Sequence, residues 1–182
     1  MTTATDPSLA ACWRLIRDIL DFPKPGIVFK DITPLLADGP CFRVVVDHIA
    51  EHCERSGWKP DVLACPEARG FIFGAALAYR LGVGFVPIRK PDKLPHDKAR
   101  VDYALEYGSD AVEMHRDAVR PGQKVILVDD LLATGGTIGA CARLLEDCGA
   151  QLLGGVFLLE LMALGGRARL APLPVYALLP VD

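Results

Sequence analysis

One stretch of the sequence decides the fold: Val125-Ile126-Leu127-Val128-Asp129-Asp130-Leu131-Leu132-Ala133-Thr134-Gly135-Gly136-Thr137. It opens with four apolar residues after the turn signal Pro121-Gly122, a pattern typical of a fully buried parallel strand. An acidic pair, small and hydroxyl residues and two adjacent glycines follow, and a helical pattern then runs from Ile138 to Cys148 before Gly149. This order predicts an α/β unit whose ligand binds where the strand ends.

The glycine-rich loop has the composition of a phosphate site. The backbone N–H groups of Ala133, Thr134, Gly135, Gly136 and Thr137 can surround an anion at the positive end of the following helix, and glycine permits the close approach. Neither a Walker loop nor a G-x-G-x-x-G turn after a strand occurs in the chain.

The acidic pair, Asp129 and Asp130, stands at the end of the same strand. Carboxylates only accept hydrogen bonds when ionised, so they suit vicinal hydroxyls or a hydrated cation. A ribose 5-phosphate, with its diol and its phosphate at opposite ends, satisfies both the acidic pair and the loop.

The stretch resembles the phosphoribosyl-diphosphate (PRPP) signature of the type I phosphoribosyltransferases. Further segments resemble the adenine branch of that family and follow its order: residues 22–34, 67–71, 89–95 and 105–108. The resemblance implies an α/β fold, a mainly parallel twisted sheet flanked by helices. It also implies a single domain over residues 1–182, with an N-terminal helix and base-binding hood in residues 1–35 and a flexible catalytic loop at 91–109.

The reaction that the resemblance implies is transfer of the 5-phosphoribosyl group from PRPP to N9 of adenine, which gives AMP and diphosphate. Such a leaving group needs Mg²⁺ and basic side chains to depart. We expect Mg²⁺ to be held mainly through the substrate diphosphate, the ribose hydroxyls and water, and we expect a homodimer.

The resemblance also assigns roles to residues of the individual segments. Glu106 is the acid/base candidate beside the purine, because a carboxyl in a closed, dry site can share the proton of N7 while N9 attacks. Arg69, Lys90 and Lys93 are expected at the diphosphate, with Arg89 in a structural role. A non-proline cis peptide is expected between Glu67 and Ala68.

The base-binding residues implied by the resemblance are Val28, Phe29, Lys30 and Leu131. Phe29 and Leu131 would sandwich the ring, and backbone groups of Val28 and Lys30 would read its edge. One departure from the family stands in the loop, where Pro91-Asp92 precedes Lys93 although many relatives have glycine or a basic residue there.

Composition limits the other classes of function. The 182 residues carry a net charge of −3, which argues against a general nucleic-acid or membrane-surface binder. No signal peptide is apparent, and the six cysteines lack zinc spacing, so a reducing cytoplasm is expected. Two alternatives remain open: a phosphoribosyltransferase for another purine, and a non-catalytic PRPP-sensing protein.

The remaining elements follow from hydrophobic periodicity and turn signals. We predict helices over 8–20, 42–55 and 71–81, strands over 61–65, 84–88, 152–161 and 175–179, and an extended piece over 103–107 with which 111–115 pairs.

Overall fold

The structure, a computed structural model, describes residues 7–104 and 109–182. The chain divides into two compact units, Met1–His48 and Ile49–Asp182, so the predicted single domain stays a prediction. The helices are α1 (Leu9–Trp13), α2 (Thr33–Ala37), α3 (Gly39–Arg55), α4 (Arg69–Leu81), α5 (Gly136–Asp147) and α6 (Gly166–Leu170). The strands are β1 (Arg17–Leu20), β2 (Val28–Asp31), β3 (Val62–Pro66), β4 (Gly84–Ile88), β5 (Lys98–Ala104), β6 (Ser109–His115), β7 (Lys124–Leu132), β8 (Gln151–Leu161) and β9 (Val175–Val181).

The first unit corrects the predicted N-terminal helix. The helix ends at Trp13, and residues 17–20 form β1, which pairs antiparallel with β2. A short apolar pattern fits either structure, and here cross-strand interactions favour the strand, since Arg17 pairs with Asp31 and Lys30 pairs with Asp18.

The second unit is built on a five-stranded parallel sheet in the order β4-β3-β7-β8-β9, as predicted for this α/β chain. The strand β3 is buried at every position and β7 at most positions, because helices pack on the sheet. The predicted strands and helices of this unit are all present, with ends shifted by a few residues. The strand β7 ends four residues later than predicted, since it continues through the acidic pair to Leu132.

The strand order of the sheet reverses direction between β3 and β7. The chain leaves β3 through α4 to reach β4 on one side, and leaves β7 through α5 to reach β8 on the other. With right-handed crossovers, these opposite steps put α4 and α5 on opposite faces of the sheet. Ligands of open α/β sheets bind in the crevice that forms at such a switch point, outside the carboxyl ends of the strands.

A two-stranded antiparallel hairpin, β5–β6, is formed by residues 98–104 and 109–115. Residues 111–115 do fold back, but they pair with residues 98–102, which precede the predicted extended piece of 103–107. Of that piece, residues 103 and 104 pair with 110 and 109, and residues 105–107 lie outside the described residues. The helix α5 packs against both of its strands. Among the described residues, no helix combines the length and apolar character needed to cross a membrane.

Candidate functional site

The acidic pair lies at the carboxyl end of β7, beside the start of α4. Asp130 is buried, at 3% exposed, and Asp129 is partly buried. A Cβ on Gly70 would stand 2.8 Å from Oδ1 of Asp129 and 3.0 Å from the backbone oxygen of Val128. Glycine at position 70 therefore lets the first turn of α4 approach the acidic pair closely.

Charge at the acidic pair is only partly compensated. The Nε of Arg69 lies 3.1 Å from Oδ2 of Asp130, but this buried oxygen accepts no hydrogen bond of good geometry from the described residues. Burial raises the pKa of Asp129 well above its ordinary value, and the neighbouring Asp130 raises it further. Burial also raises the pKa of Asp130, against the opposing effect of Arg69. A buried carboxylate oxygen without a well-formed hydrogen bond, such as Oδ2 of Asp130, suits a ligand hydroxyl or a hydrated cation.

The predicted phosphate loop joins β7 to α5. Gly135 is the residue that precedes the helix and adopts a φ of +77°, and its carbonyl accepts a bond from the N–H of Gly139 at 2.8 Å. The loop rests on the start of α6: a Cβ on Gly135 would lie 2.9 Å from the backbone oxygen of Gly166, and one on Gly166 would lie 2.2 Å from that of Ala133. The backbones of the phosphate loop and of the start of α6 can therefore approach closely only because both carry glycine. The N–H groups of the first turn of α5 lie at the positive end of that helix, where an anion binds favourably.

The loop after β3 carries the predicted cis peptide between Glu67 and Ala68. Arg89 forms an ion pair with Glu67, and its guanidinium lies 5.9 Å from the ring centroid of Phe71. Both contacts agree with the structural role expected for Arg89. Arg69, the first residue of α4, projects a side chain that is 38% exposed from the same loop.

Lys90 belongs to a polar network that connects the hairpin to the phosphate loop. Its ammonium group forms an ion pair with Asp110 and donates to the hydroxyl of Tyr103 at 3.0 Å. That hydroxyl lies 3.1 Å from Asp110 and 3.2 Å from Oγ1 of Thr137. Burial lowers the pKa of Lys90, but the hydrogen bonds that Lys90 donates to Asp110 and Tyr103 outweigh this effect, so the pKa is raised and the lysine stays charged.

Lys93 is exposed, and the residue before it explains the departure noted in the sequence. Asp92 adopts a φ of +63°. Glycine takes this left-handed conformation freely, and aspartate tolerates it better than most residues. The backbone of this chain therefore keeps a shape that glycine would also give.

The predicted base-binding residues fall in both units. Val28, Phe29 and Lys30 lie on β2 of the first unit, and Leu131 lies on β7 of the second. The rings of Phe22 and Phe29 meet edge to face at 5.2 Å, and Lys30 donates to Asp18 at 2.6 Å. In an antiparallel pair the backbone groups of alternate residues point the same way, so Val28 and Lys30 present theirs on one side of β2.

Glu106 lies outside the described residues, so its predicted role is untested. Within the second unit, the carboxyl ends of β3 and β7 bring together the acidic pair, the phosphate loop and Arg69. Four residues that the structure brings to this site were not predicted as site residues from the sequence: Gly70, Tyr103, Asp110 and Gly166. Gly70 lies in the segment 67–71 that carries the resemblance, and Tyr103 is an aromatic residue in the predicted extended piece, but the contacts of both depend on tertiary structure.

Comparison with known proteins gives consistent results. The family model for the phosphoribosyl transferase domain matches residues 35–168. The adenine phosphoribosyltransferase of Dichelobacter nodosus is 55% identical over 168 residues, which cover 92% of this chain and 97% of that protein. The crystal structure of the adenine phosphoribosyltransferase from Thermoanaerobacter pseudethanolicus superposes with a TM-score of 0.93 at 52% identity, covering 96% of this chain and all of that one.

A third relative was crystallised with ligands. The adenine phosphoribosyltransferase from Saccharomyces cerevisiae, in complex with an imino-altritol bisphosphate and adenine, superposes with a TM-score of 0.88 at 38% identity. The alignment covers 93% of this chain and 99% of the yeast chain.

Proposed function

This chain belongs to the phosphoribosyltransferase family and transfers the 5-phosphoribosyl group of PRPP to adenine, and we propose here which of its residues carry that reaction. One observation supports the assignment of the PRPP site most directly: the acidic pair and the phosphate loop are consecutive at the switch point of the sheet. PRPP would place its 5-phosphate against the N–H groups of residues 133–137 and its ribose hydroxyls on Asp129 and Asp130.

The diphosphate is the leaving group, and its charge must be stabilised as the bond to C1 breaks. Arg69 would contact it from the start of α4, and Lys90 would approach from the hairpin side. Lys93 would approach it from the loop. The transition state resembles an oxocarbenium ion, so cationic donors that are in position before the bond breaks lower the barrier without reorganising.

The residues at the acidic pair fit Mg²⁺, because Oδ2 of Asp130 is a buried oxygen without a well-formed hydrogen bond. The described residues contain no group of three or more His, Cys, Asp or Glu side chains that could hold a metal. We therefore propose that Asp129 and Asp130 hold the ion largely through the ribose hydroxyls and water, with the diphosphate as its main ligand. When bound, Mg²⁺ neutralises charge on the departing diphosphate.

Adenine would be held by Val28, Phe29, Lys30 and Leu131. A backbone carbonyl of β2 that accepts from the exocyclic amine would be left unpaired by a 6-oxopurine, at a cost of roughly 1–3 kcal/mol. The discriminating assay is diphosphate release from PRPP with adenine, hypoxanthine and guanine in turn. Release with hypoxanthine or guanine as fast as with adenine would assign another purine, and no release with any base would favour a PRPP-sensing protein.

Glu106 would share the proton of N7 while N9 forms the bond to C1. In Glu106→Gln the amide keeps the shape of the side chain but cannot accept a full proton. We expect turnover to fall about 10²–10⁴-fold while PRPP affinity changes little, since the acidic pair and the phosphate loop bind that substrate. Turnover within about threefold of the parent at saturating substrates would remove Glu106 from the catalytic residues.

A homodimer and a cytoplasmic location complete the proposal. Ile72 and Tyr79 are one heptad apart on α4 and are 40% and 91% exposed, which supports an apolar contact face on this helix. All six cysteines are free, and five of them are buried, which suits a reducing compartment. The mass of the protein in solution, measured by sedimentation, tests the dimer.

A further inference from the structure

Glu113, in the middle of β6, is a carboxylate buried to 1% exposure. Its Oε2 accepts a hydrogen bond from Nζ of Lys98 at 2.7 Å and another from the backbone N–H of Asp92 at 3.2 Å. Arg100 lies 3.5 Å from Oε1. A carboxylate is retained in the interior only when such partners compensate its charge, and here Asp92 and Lys98 come from the two ends of one loop.

The backbone of Glu113 holds the same loop at a third point. Its N–H donates to the carbonyl of Arg89 at 2.8 Å, and its carbonyl accepts from the N–H of Arg89 at 2.8 Å. A single residue therefore fixes the chain at positions 89, 92 and 98. Lys90 lies between the first two of these points, and Lys93 lies between the last two.

We propose that Glu113 is a positioning residue for PRPP: it holds the loop of residues 89–98 in the shape that presents Lys93 to the diphosphate. Glu113 itself touches no substrate. It acts through the amide of Asp92, whose left-handed backbone sets the direction in which the chain leaves toward Lys93. The inference rests on the proposed role of Lys93 at the diphosphate.

The electrostatics of Glu113 suit a permanent anchor. Burial raises its pKa, but the hydrogen bonds from Lys98 and from the amide of Asp92 outweigh this effect, and the net pKa lies below the ordinary value. Glu113 is therefore ionised at neutral pH. The side chain of Lys98, which pairs with Glu113, is 31% exposed. Lys98 can therefore be substituted without creating a cavity in the protein interior.

The test compares three single variants with the parent. Glu113→Gln keeps the shape but loses the charge, and Lys98→Gln removes one partner from the exposed side. The control, Asp97→Asn, removes the exposed ion pair to Arg116, which lies in the same loop but does not involve Glu113.

We expect Glu113→Gln to raise the KM for PRPP about 10- to 100-fold, because small displacements of a binding group cost rates of that order. The KM for adenine should stay near the parent value, and the amide of Asp92 should exchange faster with solvent. Lys98→Gln should change both properties in the same direction by less, and Asp97→Asn should change neither. A KM for PRPP within about twofold of the parent in Glu113→Gln and Lys98→Gln would overturn the proposal.

Combination with Lys93→Ala separates positioning from general damage to the fold. If Glu113 acts through Lys93, Glu113→Gln should add little to the KM for PRPP in the Lys93→Ala background, whereas independent effects would add in full and refute the proposal. Lys93→Ala alone tests the proposed function, since an unchanged KM would mean that Lys93 does not bind diphosphate. In that event the exchange of the Asp92 amide still decides whether Glu113 holds the loop.

Discussion

The energetic cost of disturbing the contact between the phosphate loop and α6 can be measured with glycine substitutions. Gly122 and Gly135 both have a φ of +77°, but a Cβ on Gly122 meets nothing within 4 Å, whereas one on Gly135 meets the backbone oxygen of Gly166 at 2.9 Å. Gly122→Ala should cost about 1–2 kcal/mol for the left-handed conformation alone. Gly135→Ala adds overpacking against a backbone that cannot rotate away, for a total of about 2–5 kcal/mol.

Gly139, in the second turn of α5, supplies the control in the opposite direction. The atom nearest to a Cβ added at Gly139 is Cδ2 of Leu170, at the ordinary contact distance of 3.8 Å. Gly139→Ala should therefore stabilise the helix by roughly 0.5–1 kcal/mol. Urea unfolding gives the free energy of each variant, and titration with PRPP gives its affinity. Only Gly135→Ala should weaken PRPP binding. If Gly135→Ala and Gly122→Ala unfold at the same urea concentration, the start of α6 does not hold the loop and the reasoning fails.

Three further predictions concern the acidic pair, the hairpin network and the loop. The pKa of Asp129 is raised in the folded protein, so the contribution of this residue to stability is lost as the pH rises through the raised pKa. At pH 7, Asp129→Asn should therefore unfold at a higher temperature than the parent while it binds PRPP more weakly. A lower unfolding temperature would contradict this prediction. Tyr103→Phe removes the hydroxyl between Lys90 and Thr137 and should cost about 0.5–1.5 kcal/mol in urea unfolding, with a rise in the KM for PRPP; an unchanged free energy of unfolding would mean that the network contributes nothing. The amides of residues 93–97 should exchange faster than those of β7 without ligand and slow when PRPP and adenine bind, and exchange as slow as in β7 would argue against a mobile loop.

Local patterns were sufficient where local forces decide the structure. The strand β7 and the loop after it could be predicted because a buried parallel strand is a continuous apolar run, and because a left-handed residue before a helix requires glycine. Alternating side chains likewise predicted a hairpin that residues 111–115 complete, although its first strand begins five residues earlier than predicted. In each case the residues that determine the structure are neighbours in the chain.

The errors arise where partners distant in sequence decide. Residues 17–20 continue the pattern of the predicted helix, with Leu20 on its apolar stripe and Arg17 outside it, but pairing with β2 makes them a strand. The end of β7 was placed too early, because the acidic residues look like a strand terminus although β8 continues to pair with the chain as far as Leu132. Neither fact is present in the local sequence.

The glycines show the limit of sequence reasoning most clearly. Gly135 was predicted to belong to the phosphate loop from its place in the sequence, but Gly166 was not, because it follows an unremarkable turn. The need for glycine at position 166 arises from the carbonyl of Ala133, which would lie 2.2 Å from an added Cβ, and from the side chain of Leu132 at 3.0 Å. Asp92 is the converse case, since the sequence marked a departure from the family and the structure shows a conformation that glycine and aspartate can both adopt. The PRPP signature therefore predicts which ligand the phosphate loop binds. The role of Gly166, whose backbone packs against that loop, can be recognised only from the contact between the two backbones in the structure.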